Sequence, residues 1–228
     1  RASIYNEDML FQEFGIDAEI MIDHAWGLEP CGMAEIKAYK PSTNSLSEGQ
    51  VLAEPYPYDK ARIIVAEMAD SLVFQLTDKN LVTDGLTLDV GYDRENCDKG
   101  SYRGPVHIDH YGRSVPKGAH GSTHLGNPSN LGSTIVTAAV ELFDRIANRS
   151  LTVRRITMAA NRVVQDEGVY QFDLFSDVEK QEKEKTLQKA LLGIKKKYGK
   201  NAILKGTNFL DGATMRERNK QIGGHKES

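Results

Sequence analysis

The sequence lacks the features that define several large classes of protein. It has only two cysteines, Cys31 and Cys97, in 228 residues, which is too few for a disulfide framework and fits a reducing, cytoplasmic setting. No apolar run approaches the roughly 20 residues that a membrane-spanning helix needs, so no membrane association is expected. Residues 1–10 contain no apolar core of a signal peptide. Apolar residues are too many and too regularly spaced for a disordered chain.

Common catalytic motifs are missing as well. The sequence has no G-x-S-x-G nucleophile motif and no G-x-x-x-x-G-K-[ST] phosphate loop. Asp89 and Asp93 flank one predicted strand end, but no third carboxylate is placed to complete a two-metal site. A hydrolase with a histidine-bound metal is a minor hypothesis, because zinc would accept the spacing of four histidines, but neither cysteine joins them, and nucleic-acid contact or plain solvation of the loop is the favoured interpretation. The four histidines are His107, His110, His120 and His124.

Charge is unevenly distributed along the chain. The 29 Lys and Arg residues nearly balance the 32 Asp and Glu residues. However, the first hundred residues carry 8 basic and 19 acidic side chains, whereas the remainder carries 21 basic and 13 acidic ones. This asymmetry predicts a basic surface in the second half. A solvated surface without a partner is the alternative interpretation.

The spacing of apolar residues predicts an α+β domain. Ile64, Met68 and Leu72 recur every four residues, as on the buried face of a helix. Leu86 and Leu88 alternate with polar residues, as in a strand. The predicted strands and helices lie, in chain order, at 42–54, 58–77, 86–92, 121–126, 133–147 and 152–164. This order gives a split β-α-β-β-α-β domain, in which a four-stranded sheet carries two helices on one face. The other face is expected to be polar and basic, and to meet water or a partner.

The flanking segments have different patterns. Residues 6–38 are expected to form short helices, some of them ended by Gly15 and Gly27. Residues 165–176 are expected to be extended and exposed, and a helix then runs to Tyr198. Residues 200–228 are polar and contain several glycines, so weak order is expected there.

One exposed pentapeptide, Gln171-Phe172-Asp173-Leu174-Phe175, suits peptide docking. Its apolar side chains could fill pockets on a partner, and its glutamine could form hydrogen bonds at the pocket edge. A strand or loop packed on the protein's own core is the alternative. Ordinary residue frequencies would produce such a pentapeptide in on the order of one chain per thousand.

Several segments resemble the Y-family (UmuC/ImpB/MucB/SamB-like) translesion DNA polymerases. The run Lys40-Pro41-Ser42-Thr43-Asn44-Ser45-Leu46-Ser47, with Gly49-Gln50-Val51-Leu52 after it, resembles the start of the family's little-finger domain. Val153-Arg154-Arg155-Ile156 resembles that domain's last strand, and the pentapeptide at 171–175 resembles the family's sliding-clamp-binding motif. Residues 195–206 and 218–225 resemble the C-terminus of this branch.

The resemblance implies a C-terminal portion of a polymerase. Residues 1–39 would be the closing helices of the thumb, 40–165 the little-finger DNA-binding domain, and 166–228 the clamp-binding motif, helix and polar tail. The implied partners are primer–template DNA and a sliding clamp. The family's catalytic carboxylates lie in a palm domain that no segment here resembles. We therefore expect no catalytic residue and no cofactor in this chain, with Mg²⁺ bound by the palm.

The candidate DNA contacts lie on the open sheet face and its adjoining loop. Phosphate contacts position a protein on DNA without reading its sequence, as lesion tolerance requires. Short hydroxyl side chains allow close approach, and cationic side chains supply charge. The candidates are Lys40, Ser42, Ser45, Ser47, Arg103, Arg113, Lys117, Arg154, Arg155, Asn161 and Arg162.

The alternative function is a non-enzymatic adaptor that binds RNA or protein through the same split βαβ domain. RNA-binding sheets of this topology stack bases on exposed aromatic side chains. The outward positions predicted here, Thr87, Asp89, Arg155 and Thr157, are not aromatic. The sequence therefore favours phosphate contacts over base stacking.

Overall fold

The computed structural model divides the chain into two compact units, Arg1–Thr43 and Asn44–Ser228. It describes residues 7–15, 17–29, 31–39, 44–98, 102–109, 112–168, 178–222 and 225–226. The first unit contains α1 (Glu7–Phe14), α2 (Asp17–Ala25) and α3 (Met33–Ala38). Gly15 and Gly27 have φ values of +57° and +77°, the left-handed backbone that commonly ends a helix. The predicted short helices and both stops are confirmed.

The second unit contains an antiparallel sheet with helices on one face. Its elements are, in chain order, β1 (Leu46–Tyr56), α4 (Tyr58–Asp78), β2 (Leu81–Tyr92), α5 (Glu95–Asp98), β3 (Val106–Ile108), β4 (Ser114–Pro116), β5 (Ala119–Ser129), α6 (Gly132–Ile146), β6 (Val153–Asn161), β7 (Val164–Gln165), α7 (Val178–Tyr198), a 3-10 turn (Gly206–Phe209), α8 (Met215–Arg218), β8 (Gln221–Ile222) and β9 (His225–Lys226). None of the helices in the described ranges is both long and apolar enough to cross a bilayer.

The strand order shows the split βαβ topology. The main sheet runs β1-β6-β2-β5, all neighbours are antiparallel, and the short β7 pairs with one end of β2. α4 connects β1 to β2 with β6 between them, and α6 connects β5 to β6 with β2 between them. Each helix therefore links two parallel strands across an intervening antiparallel strand. The predicted α+β fold is confirmed.

The core lies between the two long helices and the inner face of the sheet. Ile64 and Leu72 on α4 are fully buried, as their helical spacing predicts, and Leu88 on β2 is buried beneath them. Tyr58 stacks on Phe143 of α6 with ring centroids 5.0 Å apart. The two helices thus cover one sheet face and leave the opposite face outside the core.

The boundaries of all four long strands differ from the sequence prediction. β2 begins at Leu81, five residues earlier than predicted, and β5 spans Ala119–Ser129 instead of 121–126. We expected β1 to end before Pro55, yet it continues through that proline to Tyr56. β1 is an edge strand whose register with β6 shifts between Val51 and Tyr56, and an edge position tolerates the missing N–H of proline. β6 ends at Asn161, three residues earlier than predicted, because Arg162 adopts a φ of +47° that interrupts the extended backbone.

The loop between β2 and β5 has more internal structure than expected. Buried Asn96 of α5 donates to the carbonyl oxygens of Asp93 and Thr152 at 2.7 and 3.0 Å. It also accepts from the Thr152 backbone N–H at 3.0 Å. The β3–β4 hairpin is closed by Asp109, whose carboxylate accepts from the backbone and guanidinium of Arg113 at 2.9 and 2.8 Å.

The C-terminal segment is ordered against α4, so the expectation of weak order over the described part of 200–228 is wrong. Glu67 on α4 is only 2% exposed. Its carboxylate accepts from Asn208 Nδ2 at 2.8 Å and from the backbone N–H groups of Thr214 and Met215 at 2.8 and 3.0 Å. A buried carboxylate needs such donors, and the C-terminal segment supplies them.

Candidate nucleic-acid interface

The open face of the sheet carries small and polar side chains in rows that cross all four long strands. The pairing register places one row at Ser47, Ala159, Thr87 and Ser122. It places the next row at Gly49, Thr157, Asp89 and His120. Side chains of this size let an extended ligand approach the strand backbone closely. Neither row contains Phe, Tyr or Trp, and the one ring on which a base could stack is the imidazole of His120, which contacts Asp89.

Charged groups on this face are few, and two of the three described below are paired. Asp89 Oδ1 accepts a hydrogen bond from His120 Nδ1 at 2.7 Å, and Arg162 Nε donates to Asp84 at 2.6 Å. Arg155 lies opposite Gly91 and is exposed. The centre of the face is therefore mostly neutral, whereas the sequence had predicted a polar and basic one.

Five of the predicted DNA contacts are exposed and make no side-chain hydrogen bond or ion pair to another described residue. Their side chains are therefore available to a ligand without breaking such a contact in that part of the chain. Arg155 lies on β6 and projects from the open face, while the other two cations lie in the β2–β5 connection. The five are Ser45, Ser47, Arg103, Lys117 and Arg155.

The side chains of two further candidates from β6 contact neighbouring strands. Arg154 donates to the carbonyl oxygen of Ala53 at 3.0 Å and lies 3.7 Å from Asp93, so it ties β1 to the end of β2. Asn161 Nδ2 donates to Thr87 Oγ1 at 2.6 Å across the open face. A DNA phosphate would have to share or displace these contacts.

Arg113 and Arg162 are exposed but paired with acids. Arg113 Nη2 lies 2.7 Å from Asp109 within the β3–β4 hairpin. Arg162 lies 2.6 Å from Asp84 at the end of β6. Each guanidinium is thus partly neutralised by a neighbouring carboxylate before any ligand arrives.

Two candidate sites fall outside the described residues. Lys40 and Ser42 precede the first described residue of the second unit. The whole docking pentapeptide, residues 171–175, lies between the described residues Gly168 and Val178. Its assignment therefore continues to rest on the sequence.

The described histidines do not cluster as metal ligands would. They contact acidic side chains or are exposed separately. His124 lies 3.7 Å from Asp84, and His107 is exposed on β3, while His110 is outside the described residues. In the described part of the chain, no three His, Cys, Asp or Glu side chains are arranged to hold a metal ion. Asp93 instead accepts from the backbone N–H of Glu95 at 2.9 Å at the start of α5.

Sequence reasoning missed two contributors to the open face. Gly49 was quoted only as part of a family motif. A Cβ atom added at this position would lie 3.5 Å from Thr157 Oγ1 in the next strand. His120 was considered only as one of four clustered histidines, for which nucleic-acid contact or solvation was favoured over metal binding, and it was not assigned to the sheet. The alternation of His120, Ser122 and His124 along β5 was the available signal, because residues two apart in a strand share a face.

Comparison with known proteins identifies the family. Residues 43–174 match the impB/mucB/samB family C-terminal domain. Because this match covers more than half of the chain, the chain belongs to that family, and the Y-family resemblance is confirmed.

Individual relatives are distant but extend over nearly the whole chain. A Bacillus subtilis (strain 168) protein named for UV-damage repair, UvrX, is 24% identical over 221 residues, which cover 96% of this chain and 47% of the relative. DNA polymerase IV 2 of Halalkalibacterium halodurans is 23% identical over 216 residues, which cover 93% and 46%. The chain thus spans about half the length of the curated relatives that it matches.

Among solved structures, one match is titled as a complex of the beta-clamp processivity factor and the little finger domain of PolIV. It is 10% identical, with a TM-score of 0.35, and the match covers 58% of this chain and 99% of that chain.

Proposed function

We propose that this chain is the DNA-binding and clamp-docking C-terminal part of an error-prone translesion DNA polymerase that acts in DNA repair. The observation that carries the proposal is the open sheet face, whose small side chains leave the backbone approachable beside Arg155, which forms no ion pair with a described residue. Membership of the impB/mucB/samB family supports the same assignment.

DNA contact on this face would be to phosphates. The Ser47 and Thr157 hydroxyls can donate to phosphate oxygens, and Arg155 provides a charge-assisted contact. Such contacts hold the duplex without reading its bases, so a damaged base would be tolerated. The exposed Arg103 and Lys117 of the β2–β5 connection would extend the cationic surface.

Clamp docking is proposed for the pentapeptide at 171–175. Phe172, Leu174 and Phe175 are large apolar side chains, and burying each in a pocket is favourable by roughly 1.5–3 kcal/mol. Ordering the segment on binding costs part of this gain, so a micromolar Kd is expected. The chemistry of nucleotide transfer, with its Mg²⁺, is assigned to a palm domain and to no residue of this chain.

The salt dependence of DNA binding tests the proposal. The purified chain should bind a fluorescent primer–template duplex with little sequence preference, and its affinity should fall as salt rises because neutralised phosphates release counterions. Arg155→Ala should weaken binding similarly for unrelated sequences and reduce the slope of log K against log salt by about one.

Lys189→Ala serves as the control, because this lysine is exposed on α7, away from the sheet. It should leave both the affinity and the salt slope unchanged. Equal effects of the two substitutions, or a loss confined to one DNA sequence, would contradict the phosphate-contact role of Arg155.

A further inference from the structure

A cavity of about 650 Å³ lies on the helical side of the second unit. It is lined by Glu48 of β1, by α4, by the C-terminal half of α7, and by the ordered segment that follows α7. Its volume is within the range of ligand pockets, roughly 300–1,000 Å³. The open sheet face contributes no side chain to it, so it is distinct from the proposed DNA interface.

Part of the lining is apolar and comes from three separate segments. Phe74 belongs to α4, Leu192 to α7, and Leu204 and Met215 to the C-terminal segment. None of these four side chains belongs to the fully buried core between α4, α6 and the sheet. A ligand with a bulky apolar group would remove this surface from water, which is favourable.

One polar group of the lining has an unfilled hydrogen-bonding position. Glu48 Oε2 accepts from Ser71 Oγ at 2.9 Å and from Gln75 Nε2 at 3.2 Å. Glu48 Oε1 is buried and has no hydrogen-bond partner among the described residues. Burial raises the pKa of this carboxyl, although the hydrogen bond from Ser71 opposes the shift. A buried oxygen without a partner is unfavourable, but this atom is shielded from solvent, so a ligand in the cavity does not reach it in this conformation.

The charged groups of the lining leave an excess of cations. Lys205 Nζ lies 2.6 Å from Asp70, and Lys196 forms an ion pair with Asp78. These pairs account for two of the three acids, and Glu48 is the third. Three further cations line the cavity and form no ion pair with a described residue: Lys195, Lys200 and Arg218. Lys195 Nζ lies 4.3 Å from the centroid of the Phe74 ring, and the charge of Arg218 favours the ionised form of Glu48, which lowers its pKa.

We propose that this cavity docks an acidic segment of a partner protein that carries a bulky apolar side chain. The apolar side chain occupies the surface formed by Phe74, Leu204 and Met215. Carboxylates of the segment pair with half-buried Lys195 and with exposed Lys200. Charge complementarity selects an acidic partner, and the apolar lining distinguishes it from a nucleic acid backbone.

An array of immobilised twelve-residue peptides tests the proposal. Each peptide combines four Asp or Glu residues with a central pair of Trp, Phe or Leu, and a second array has Lys in place of every acid. The full chain should bind members of the acidic array with micromolar affinity and bind the basic array at least about tenfold more weakly, because like charges oppose docking.

Two double variants with the same change in net charge locate the site. Lys195→Glu with Lys200→Glu should weaken acidic-peptide binding at least about tenfold. Lys189→Glu with Lys197→Glu changes two α7 lysines outside the cavity lining and should retain it. Thermal melts check the fold, and the exposed Lys200→Glu alone replaces the first pair if that pair does not fold.

Three results would overturn the proposal. The first is that no acidic peptide binds, and the second is that both double variants lose binding equally. The third is that Lys195→Glu with Lys200→Glu abolishes duplex binding while the control pair does not, because the cations would then belong to a DNA surface. Duplex binding by the open sheet face is measured separately, so failure of this proposal leaves the proposed function intact.

Discussion

Replacement of Glu67 should release the C-terminal segment from α4. In Glu67→Ala, the amide of Asn208 and the backbone N–H groups of Thr214 and Met215 lose an acceptor that they reach at 2.8–3.0 Å. A hydrogen bond to a charged group contributes about 1.5–3 kcal/mol. Three such bonds do not add fully, because water can reach the released donors. We therefore expect a loss of about 3–5 kcal/mol in the docking free energy of the segment.

Hydrogen exchange measures this loss directly. The segment can detach while the sheet stays folded, so global denaturation would underestimate the effect. A loss of about 3 kcal/mol corresponds to exchange that is roughly a hundredfold faster at the Thr214 and Met215 amides. The core amide of Leu88 should exchange as in the unmodified chain.

Two further substitutions make the test specific. Glu67→Gln should have an intermediate effect. The glutamine carbonyl oxygen can still accept from the backbone of residues 214 and 215, but its NH2 group would face the NH2 group of Asn208, which is also a donor. The Asn208 Oδ1 cannot accept instead, because the Lys205 N–H already occupies it at 2.9 Å. Glu141→Ala removes an exposed acid from α6 and should change nothing. If Glu67→Ala and Glu141→Ala exchange alike at Thr214 and Met215, the anchoring role of Glu67 is refuted.

Two other outcomes are expected. Changing Leu174 and Phe175 together to Ala should abolish clamp binding in a pull-down and leave the affinity for duplex DNA unchanged. If the double variant unfolds instead, these residues belong to the core and the docking hypothesis is rejected. The hydrogen bonds from Arg62 and, to a smaller extent, Tyr58 lower the pKa of Asp144. Its ion pair therefore stabilises the fold at pH values above the unfolded pKa of about 4. This contribution disappears as the pH falls through the lower pKa of the folded state. Asp144→Asn should therefore cost about 1 kcal/mol in urea denaturation at pH 7, and a difference that persists unchanged at about pH 2 would contradict this assignment.

Repeating apolar patterns predicted the central elements because local spacing decides which face is buried. Ile64 and Leu72 recur at helical spacing, so α4 was found within one residue of its observed bounds. Leu86 and Leu88 recur at strand spacing, which located the C-terminal part of β2 but not its first five residues. Glu67 shows where this reasoning fails. A carboxylate on a helix is normally exposed, and its burial depends on donors from residues 208–215 that no local pattern connects to it.

The sequence predicted which strand residues face outward on the open face, but not which of their charges are paired. Alternation placed Thr87 and Asp89 outward, as observed. The pairs that neutralise its charges join residues distant in sequence: Asp89 contacts His120, and Arg162 contacts Asp84. These contacts depend on strand register and on the backbone turn at Arg162, which alternation alone does not determine.

The most direct test of the central claim is to map the duplex on the protein by NMR. Backbone amide shifts should be recorded as a primer–template duplex is added at low salt. We expect the largest changes along the open face, at Ser47, Thr87, Arg155 and Thr157, with little change on the helical side, for example at Glu141. Changes concentrated on α4, α6 or α7, with an undisturbed sheet face, would contradict the proposed DNA interface.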